Sequence, residues 1–399
     1  MGAMETTDRF LGCIFGLAIG DALGAPVEFL TLADIHRTYG DRGIAGFEPW
    51  GGFPAGSYTD DTQMSLATAF GLIVARSRGT DPSAAIYRYY LDWRKSQEDP
   101  VNRRAPGNTC MAALEAERKS GLDRPVNDSK GCGGLMRVAP IGLAMHPEAA
   151  FEEGVEAAAL THGNPSGTLP AGFLACLVSR LRAAESLAGG ISFAMDELKK
   201  RKDGGETSDA VQCAIRLASS RVSADEGVRE LGEGRIAPEA LSISLFCALR
   251  AGDDFRKGVL AAVNHGGDSD STGCIAGAIL GTLLGIDAVP PEWIPAVENA
   301  EMLQRTALYL CRDPLEAAKD TVDALVKRAI AGIEEGEASI ARGMGPAALS
   351  RLIRKRVAGE LLFWEDRKIQ ELHPGLQPDL ARAKALEECT GKAEAAFTA

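Results

Sequence analysis

Asp268-Ser269-Asp270-Ser271-Thr272, followed after Gly273-Cys274 by Ile275-Ala276-Gly277-Ala278-Ile279-Leu280-Gly281-Thr282-Leu283-Leu284, is the stretch on which the fold turns. Carboxylates and small hydroxyls head a segment that is apolar on every side, the pattern of a buried helix with an acidic N-terminus. A second cluster, Thr59-Asp60-Asp61-Thr62, runs into Met64-Ser65-Leu66-Ala67-Thr68-Ala69-Phe70-Gly71-Leu72-Ile73-Val74 in the same way. A carboxylate so placed suits a helix cap or a metal ligand aimed into a cleft. One cluster alone reads as a cap; two make a metal site a real alternative, and pattern alone does not choose.

Outward from these clusters, apolar residues recur at three-and-four spacing over Asp8 to Leu23, Thr62 to Ala75, Pro82 to Lys95, Ala149 to Leu160, Leu169 to Ala184, Ala210 to Ser220, Ala237 to Ala251, Asp253 to Val263 and Thr272 to Leu284. Many of these segments are rich in Ala and Gly, which lets helices approach closely. Alternating strand patterns are nearly absent, so the chain is expected to be all-α, an orthogonal multi-helix bundle. The one place for a minor hairpin is Gly43 to Phe53. Gly40 to Ser57, Pro100 to Asn108, Ser120 to Gly134 and Thr161 to Gly167 read as loops, and loops that long in a helical domain usually carry function or are mobile. Beyond about Arg312 the texture becomes charged. Pro314 to Glu337 and Pro346 to Leu372 read as long helices, and His373-Pro374-Gly375 breaks the chain before a final polar helix. The expected division is 8–312 for the main domain and 313–399 for a helical extension that packs on the core or meets a partner.

A chain of 399 residues with 45% hydrophobic and 25% charged content can bury a large core. Its net charge of -12, with no basic tract, argues against nucleic-acid or anionic-membrane surfaces. The apolar runs are interrupted by Gly, Ser, Thr or charge, so no membrane span is expected. The nine cysteines are scattered and free of CxxC spacing, as in a cytoplasmic protein with reduced thiols.

Asp60, Asp61, Asp268 and Asp270 offer hard oxygen ligands, with Thr59 and Ser271 as neutral ones; that set suits Mg²⁺ or Mn²⁺ rather than zinc. Asp268-x-Asp270-x-Thr272 also matches the haloacid dehalogenase signature, but no buried strand precedes it. A calcium loop starting at Asp268 fails because its twelfth position is Ile279. In Gly20-Asp21-Ala22-Leu23-Gly24-Ala25-Pro26-Val27-Glu28, Pro26 fixes the turn that delivers Glu28, a general base, a substrate clamp or a plain loop glutamate. Asp21 is expected as a cap or buried hydrogen-bonding group. Gly131-Cys132-Gly133-Gly134 and Gly107-Asn108-Thr109 could present backbone amides to a phosphate. His162 could stack on a base, bond a ribose or be structural.

In this order the segments resemble the ADP-ribosylglycohydrolase family: Gly20-Asp21-Ala22-Leu23-Gly24 with Glu28, Thr59-Asp60-Asp61-Thr62, Gly107-Asn108-Thr109, Gly131-Cys132-Gly133-Gly134-Leu135-Met136-Arg137, Thr161-His162 and Gly266-Gly267-Asp268-Ser269-Asp270-Ser271-Thr272. The resemblance covers roughly Asp8 to Arg312. It implies an all-α bundle with two Mg²⁺ (or Mn²⁺) ions in a cleft, one held by Thr59, Asp60, Asp61 and Asp270, the other by Asp268, Asp270 and Ser271. It further implies that Ser129, Gly131, Cys132, Gly133, Gly107, Asn108 and Thr109 surround ADP-ribose, with His162 near the adenosine end. A metal-activated water would attack C1″ of the ribose, with Glu28 or Asp61 handling the proton, and ADP-ribose would leave a modified protein side chain. Arginine is the first expectation for that side chain, with serine or O-acetyl-ADP-ribose as alternatives. Ser271 stands where many members have Thr. Ala105-Pro106 stands where some arginine-releasing members have an aspartate, so that acid's role is absent or filled elsewhere. The charged tail keeps a second class open, an immunity-type or ADP-ribose-binding protein that contacts a transferase or toxin.

Overall fold

The computed structural model describes residues 3–116 and 118–311 and, beyond them, 325–327, 329–331, 333, 344, 346–361 and 378–398. These fall into two units. One is built from the chain up to Leu72 and from Pro82 to Cys311; the other from Ile73–Asp81 and segments beyond 311. Among the described residues the regular structure is helical, and the only β pairings are isolated bridges, Trp50 to Phe53 and Gly131 to Ile236. The fold is all-α, as expected.

The first unit is organised around two helices buried for most of their length, α1 (Ala3–Gly24) and α14 (Ser269–Leu284). Both are apolar all round, which in a helix means burial on every side. They run in opposite directions with backbones in near contact. A methyl group built on Gly12, Gly16 or Gly20 would overlap the carbonyl of Gly281, Gly277 or Gly273, and one on Gly24 would overlap Ser269 and Asp270. Glycine at each fourth position therefore sets the register that carries the end of α1 to the acidic start of α14. The segment Thr6–Val27 is long and apolar enough to cross a membrane by composition, yet most of it lies inside the protein.

Around this pair lie α12 (Ala237–Ala251) and α13 (Phe255–Val263) on α14, and α15 (Ala300–Cys311) on α1. A second layer contains α6 (Ala139–Ala144), α7 (Pro147–Ala159) and α9 (Leu187–Lys199) against α8 (Pro165–Arg182). Next to α12 are α10 (Gly205–Ala218) and α11 (Ala224–Leu231), while α4 (Pro82–Ser96) meets α7. The helices α2 (Leu32–Tyr39), α3 (Asp60–Arg78) and α5 (Asn108–Glu115) complete the chain order. In the second unit, α16 (Pro346–Leu361) packs on α17 (Pro378–Thr398), and Leu325, Ala329, Ile333, Ile353, Val357, Ala381, Ala385, Cys389 and Ala393 form its core. The expected break at His373-Pro374-Gly375 and the remainder of the expected 314–337 and 346–372 helices lie outside the described residues.

Two expectations are corrected. The Gly43 to Phe53 segment forms one bridge instead of a hairpin. Its Gly43, Gly51 and Gly52 have positive φ, and the Asn264 amide bonds both the N–H (2.8 Å) and the C=O (3.0 Å) of Ile44, fixing an irregular path. The Thr161 to Gly167 loop is shorter than expected. Asn164 caps the Ser166 N–H at 2.9 Å and Pro165 occupies the first turn, so α8 starts there and continues through Pro170.

Candidate active site

The start of α3 is capped by another helix. Asp21, buried in the last turn of α1, accepts the N–H groups of Thr59 and Thr62 at 2.9 Å each and the Thr62 hydroxyl at 2.6 Å. The Thr59 hydroxyl accepts the Asp61 N–H at 3.2 Å. The free amides of the first turn are thus satisfied without the carboxylates of Asp60 and Asp61. At α14 the position before the helix is Asp268, whose side chain makes no capping bond. The carboxylates of Asp60, Asp61 and Asp268 make no bond to their own helix starts, and Asp270 gives only Oδ1 to the adjacent Ser271 N–H at 2.9 Å, so capping does not account for the two clusters.

These carboxylates face one another instead. One oxygen from each of Glu28, Asp268 and Asp270 lies within 4.8 Å of the others. Asp60, Asp61, Asp268 and Asp270 are all buried, and Glu28 is half-buried. Asp60 accepts the Gly107 N–H at 3.1 Å, whereas Asp61 Oδ2 is buried with no partner. Burial drives the pKa values of Asp60, Asp61 and Asp270 well up, and the neighbouring carboxylates add to it: Asp21 on the first two, Glu28 on Asp270 and Asp268 on all three. Glu28 is pushed up to about 7, by burial first, then by Asp268 and Asp21, with Arg235 opposing. So many buried acids facing one another, with an orphaned carboxylate oxygen among them, are stable as anions only around a cation. All the donors are hard oxygens, which fits Mg²⁺ or Mn²⁺. The compact three-oxygen group includes Glu28, expected as a general base, a substrate clamp or a loop glutamate, and does not include Asp60 or Asp61, which stand beside it.

The glycine loop borders the same place. Cys132 Sγ donates to Asp268 Oδ2 at 2.9 Å and lies 3.6 Å from Ser271 Oγ. Ser129 Oγ accepts the Gly131 N–H at 3.2 Å and is 3.5 Å from Thr109 Oγ1, joining the loop to the start of α5. Asn127 ties the loop down, its Oδ1 accepting the N–H groups of Ser129 and Gly163 while its amide donates to Thr161 O.

His162 is 1% exposed, with its ring beneath Gly131, Gly133 and Gly134. That burial rules out stacking on a base. Arg137 donates to Thr161 Oγ1 at 2.7 Å, and the same hydroxyl is hydrogen-bonded to His162 Nδ1 at 2.8 Å. Burial, helped by Arg137, lowers His162 to about 3, so the imidazole is neutral. Its Nε2 edge lies against the loop at Gly131. Gly107 also departs from expectation: its N–H belongs to Asp60, so the start of α5 has Asn108 and Thr109 left for a ligand.

Two supporting residues carried no assigned role in the sequence. Arg137 is fully buried under the Tyr90 ring (4.3 Å) and holds Thr161 and the Ala157 carbonyl. Its signal was one charge inside the apolar run Leu135 to Pro140. Phe29, half exposed with φ +56°, donates its N–H to Gly267 O at 2.8 Å and lies under Arg235, so the segment carrying Glu28 is tied to the one carrying Asp268.

The family whose sequence model matches the chain is described as ADP-ribosylglycohydrolase, and the match covers residues 3–335. The glycohydrolase of ADP-ribosyl dinitrogen reductase from Rhodospirillum rubrum is 31% identical over 296 residues, 73% of this chain and 90% of that protein. An ADP-ribosylarginine hydrolase of Pseudomonas putida (strain GB-1) is 26% identical over 320 residues, 77% of this chain and 78% of that one. Among solved structures, an ADP-ribosylglycohydrolase-related protein complex is similar with a TM-score of 0.60 and 28% identity, covering 77% of this chain and 99% of that one.

Proposed function

The chain belongs to the ADP-ribosylglycohydrolase family and is a hydrolase of ADP-ribose linkages, and from that premise we propose that it frees arginine side chains of proteins from ADP-ribose with the help of divalent metal ions. The observation that carries this reading is the meeting of Glu28, Asp268 and Asp270 beside buried Asp60 and Asp61 at the edge of the glycine loop. The similarity to an ADP-ribosylarginine hydrolase supports arginine as the acceptor.

In this reading the carboxylates of Asp60, Asp61, Asp268 and Asp270, with the Thr59 and Ser271 hydroxyls, hold two Mg²⁺ or Mn²⁺ ions. Bound there, such ions supply Lewis acidity that orients the ribose hydroxyls and makes water a better nucleophile. Ser129, the Gly133 stretch of the loop, Asn108 and Thr109 bind the diphosphate and distal sugar, with buried His162 supporting the loop from beneath. Water adds to C1″ as the bond from C1″ to the guanidino nitrogen breaks, the electron pair leaving with that nitrogen; Glu28 takes the proton of the water and returns it to the departing guanidine, which becomes the arginine guanidinium. The raised pKa of Glu28 suits a group that exchanges a proton near neutrality.

The test is release of ADP-ribose from an arginine-modified protein with Mg²⁺ present. Turnover that stops on chelation and returns with Mg²⁺ is expected; no turnover on arginine, serine or O-acetyl-ADP-ribose substrates sinks the reading. A base must be ionised to act, so kcat/KM should rise with pH through the pKa of Glu28. Burial and Asp268 put that at about 7 without metal, and bound cations shift it downward. Glu28→Gln should slow turnover by about 10²–10⁴-fold, the usual worth of a general base, and flatten this limb. An unchanged pH profile in Glu28→Gln would move the role to Asp61.

A further inference from the structure

Cys132 is absorbed neither by the fold nor by the proposed chemistry. It is nearly buried, and it stands at the centre of the loop expected to take a diphosphate. Its backbone is fixed on both sides. The N–H donates to Arg235 O at 3.2 Å, and the C=O accepts the N–H groups of Leu135 (2.7 Å) and Met136 (3.1 Å). The bridge between Gly131 and Ile236 holds the preceding residue. The thiol therefore has a defined direction, and it is spent on Asp268 Oδ2 at 2.9 Å.

Asp268 needs such a partner. Its backbone N–H is held by Glu233 O at 2.8 Å and its C=O accepts the Thr272 hydroxyl at 2.9 Å, but its side chain makes no cap bond. A carboxylate among Glu28, Asp61 and Asp270 is otherwise driven to rotate away from like charge. A hydrogen bond to one oxygen fixes the plane of the group, as outer partners do for metal ligands generally.

Resting on the metal-centre reading above, we propose that Cys132 is a positioning residue for that centre, its S–H orienting the Asp268 carboxylate and tying the glycine loop to the metal ligands. The partner of Sγ at 2.9 Å is a carboxylate oxygen, which accepts, so the thiol is the donor. The hydroxyl of serine can replace it and alanine cannot.

The experiment is a titration of the full chain with Mn²⁺, free ion being read by its electron paramagnetic resonance signal, for the wild type, Cys132→Ser and Cys132→Ala. We expect Cys132→Ala to bind Mn²⁺ about 10–100-fold more weakly, the usual effect of removing an outer partner, and Cys132→Ser to stay close to wild type. Equal affinity of Cys132→Ala and wild type overturns the proposal, as does a serine variant as weak as alanine, because filling space would then be the whole role. If the wild type binds no Mn²⁺, the metal-centre reading itself falls. Should Cys132→Ala not fold, the infrared difference spectrum of wild type minus Cys132→Ser isolates the Cys132 S–H stretch. A band displaced to lower frequency from that of a free thiol supports the hydrogen bond to Asp268, and an undisplaced band overturns it.

Discussion

Asp270→Ala is expected to lose hydrolysis by at least about 10²–10³-fold, the scale of deleting one preorganised electrostatic group in an active site, while keeping its helical content. Asp270 lies in the first turn of α14, 4% exposed, and shares the three-oxygen group with Glu28 and Asp268. The helix uses its side chain once, Oδ1 accepting the adjacent Ser271 N–H at 2.9 Å, so helical content should survive the loss of that single bond. The stability consequence has the opposite sign to the activity consequence. Burial, then Glu28, Asp61 and Asp268, hold the folded pKa of Asp270 well above its ordinary value. A carboxyl raised in this way favours the fold while protonated, and that contribution is lost as pH rises through the raised pKa. The metal-free variant should therefore melt at a higher temperature than metal-free wild type at alkaline pH, the difference shrinking towards the ordinary carboxylate range. The wild type should in turn gain stability from Mg²⁺, by about 2.7 kcal/mol at a hundredfold excess over Kd, and the variant far less. Thermal melts with Mg²⁺ and with a chelator read both effects. A variant with normal turnover, or a wild type indifferent to Mg²⁺ at every pH, contradicts the assignment.

Gly277→Ala is expected to be the most damaging small substitution for stability. On helix propensity alone it should help by about 1 kcal/mol. The added methyl, however, would overlap the carbonyl of Gly16 on α1, and that contact is backbone against backbone, with no side chain free to turn aside. Relief requires moving α1 away from α14 in the middle of a close-packed core, which costs about 1–3 kcal/mol or more. The separation also draws Asp21, in the last turn of α1, and Glu28, four residues beyond its end, away from Asp268 and Asp270. Metal affinity should then fall together with stability. The control is Gly391→Ala in α17, where a Cβ meets nothing within 4 Å and propensity alone operates. Urea midpoints should move down for the first and stay or rise for the second. Equal midpoints for Gly277→Ala and wild type contradict the glycine-mediated register.

The long helices were legible because burial imposes a three-and-four spacing over several turns, and α1, α3, α4, α7, α8, α10, α12, α13 and α14 all carry it. The helices that escaped, α2, α6 and α11, have eight residues or fewer, too short for periodicity to stand out, and of the equally short α5 only the start at Gly107-Asn108-Thr109 was legible. In α9 the Gly189-Gly190 pair interrupts the apolar pattern of the first turn. Only α15 was missed despite a usable signal, its buried Leu303, Thr306, Ala307 and Leu310.

At the site, local sequence could show that Asp60, Asp61, Asp268 and Asp270 stand at helix starts. It could not show that Asp21 takes over the capping of α3, the fact that frees Asp60 and Asp61 for another purpose. Nor could it show the Gly107 N–H bound to Asp60, or Cys132 bound to Asp268, each joining residues far apart in the chain. Long-range hydrogen bonds leave no periodicity behind them.

The most direct test of the central claim, that two distant acidic clusters form one divalent metal centre, is anomalous diffraction from crystals soaked with Mn²⁺ and ADP-ribose. Two strong peaks are predicted among Asp60, Asp61, Asp268 and Asp270, with the ribose hydroxyls against them and the diphosphate along Gly131 to Gly133. Peaks elsewhere, or ADP-ribose bound with no anomalous signal among these carboxylates, would contradict it.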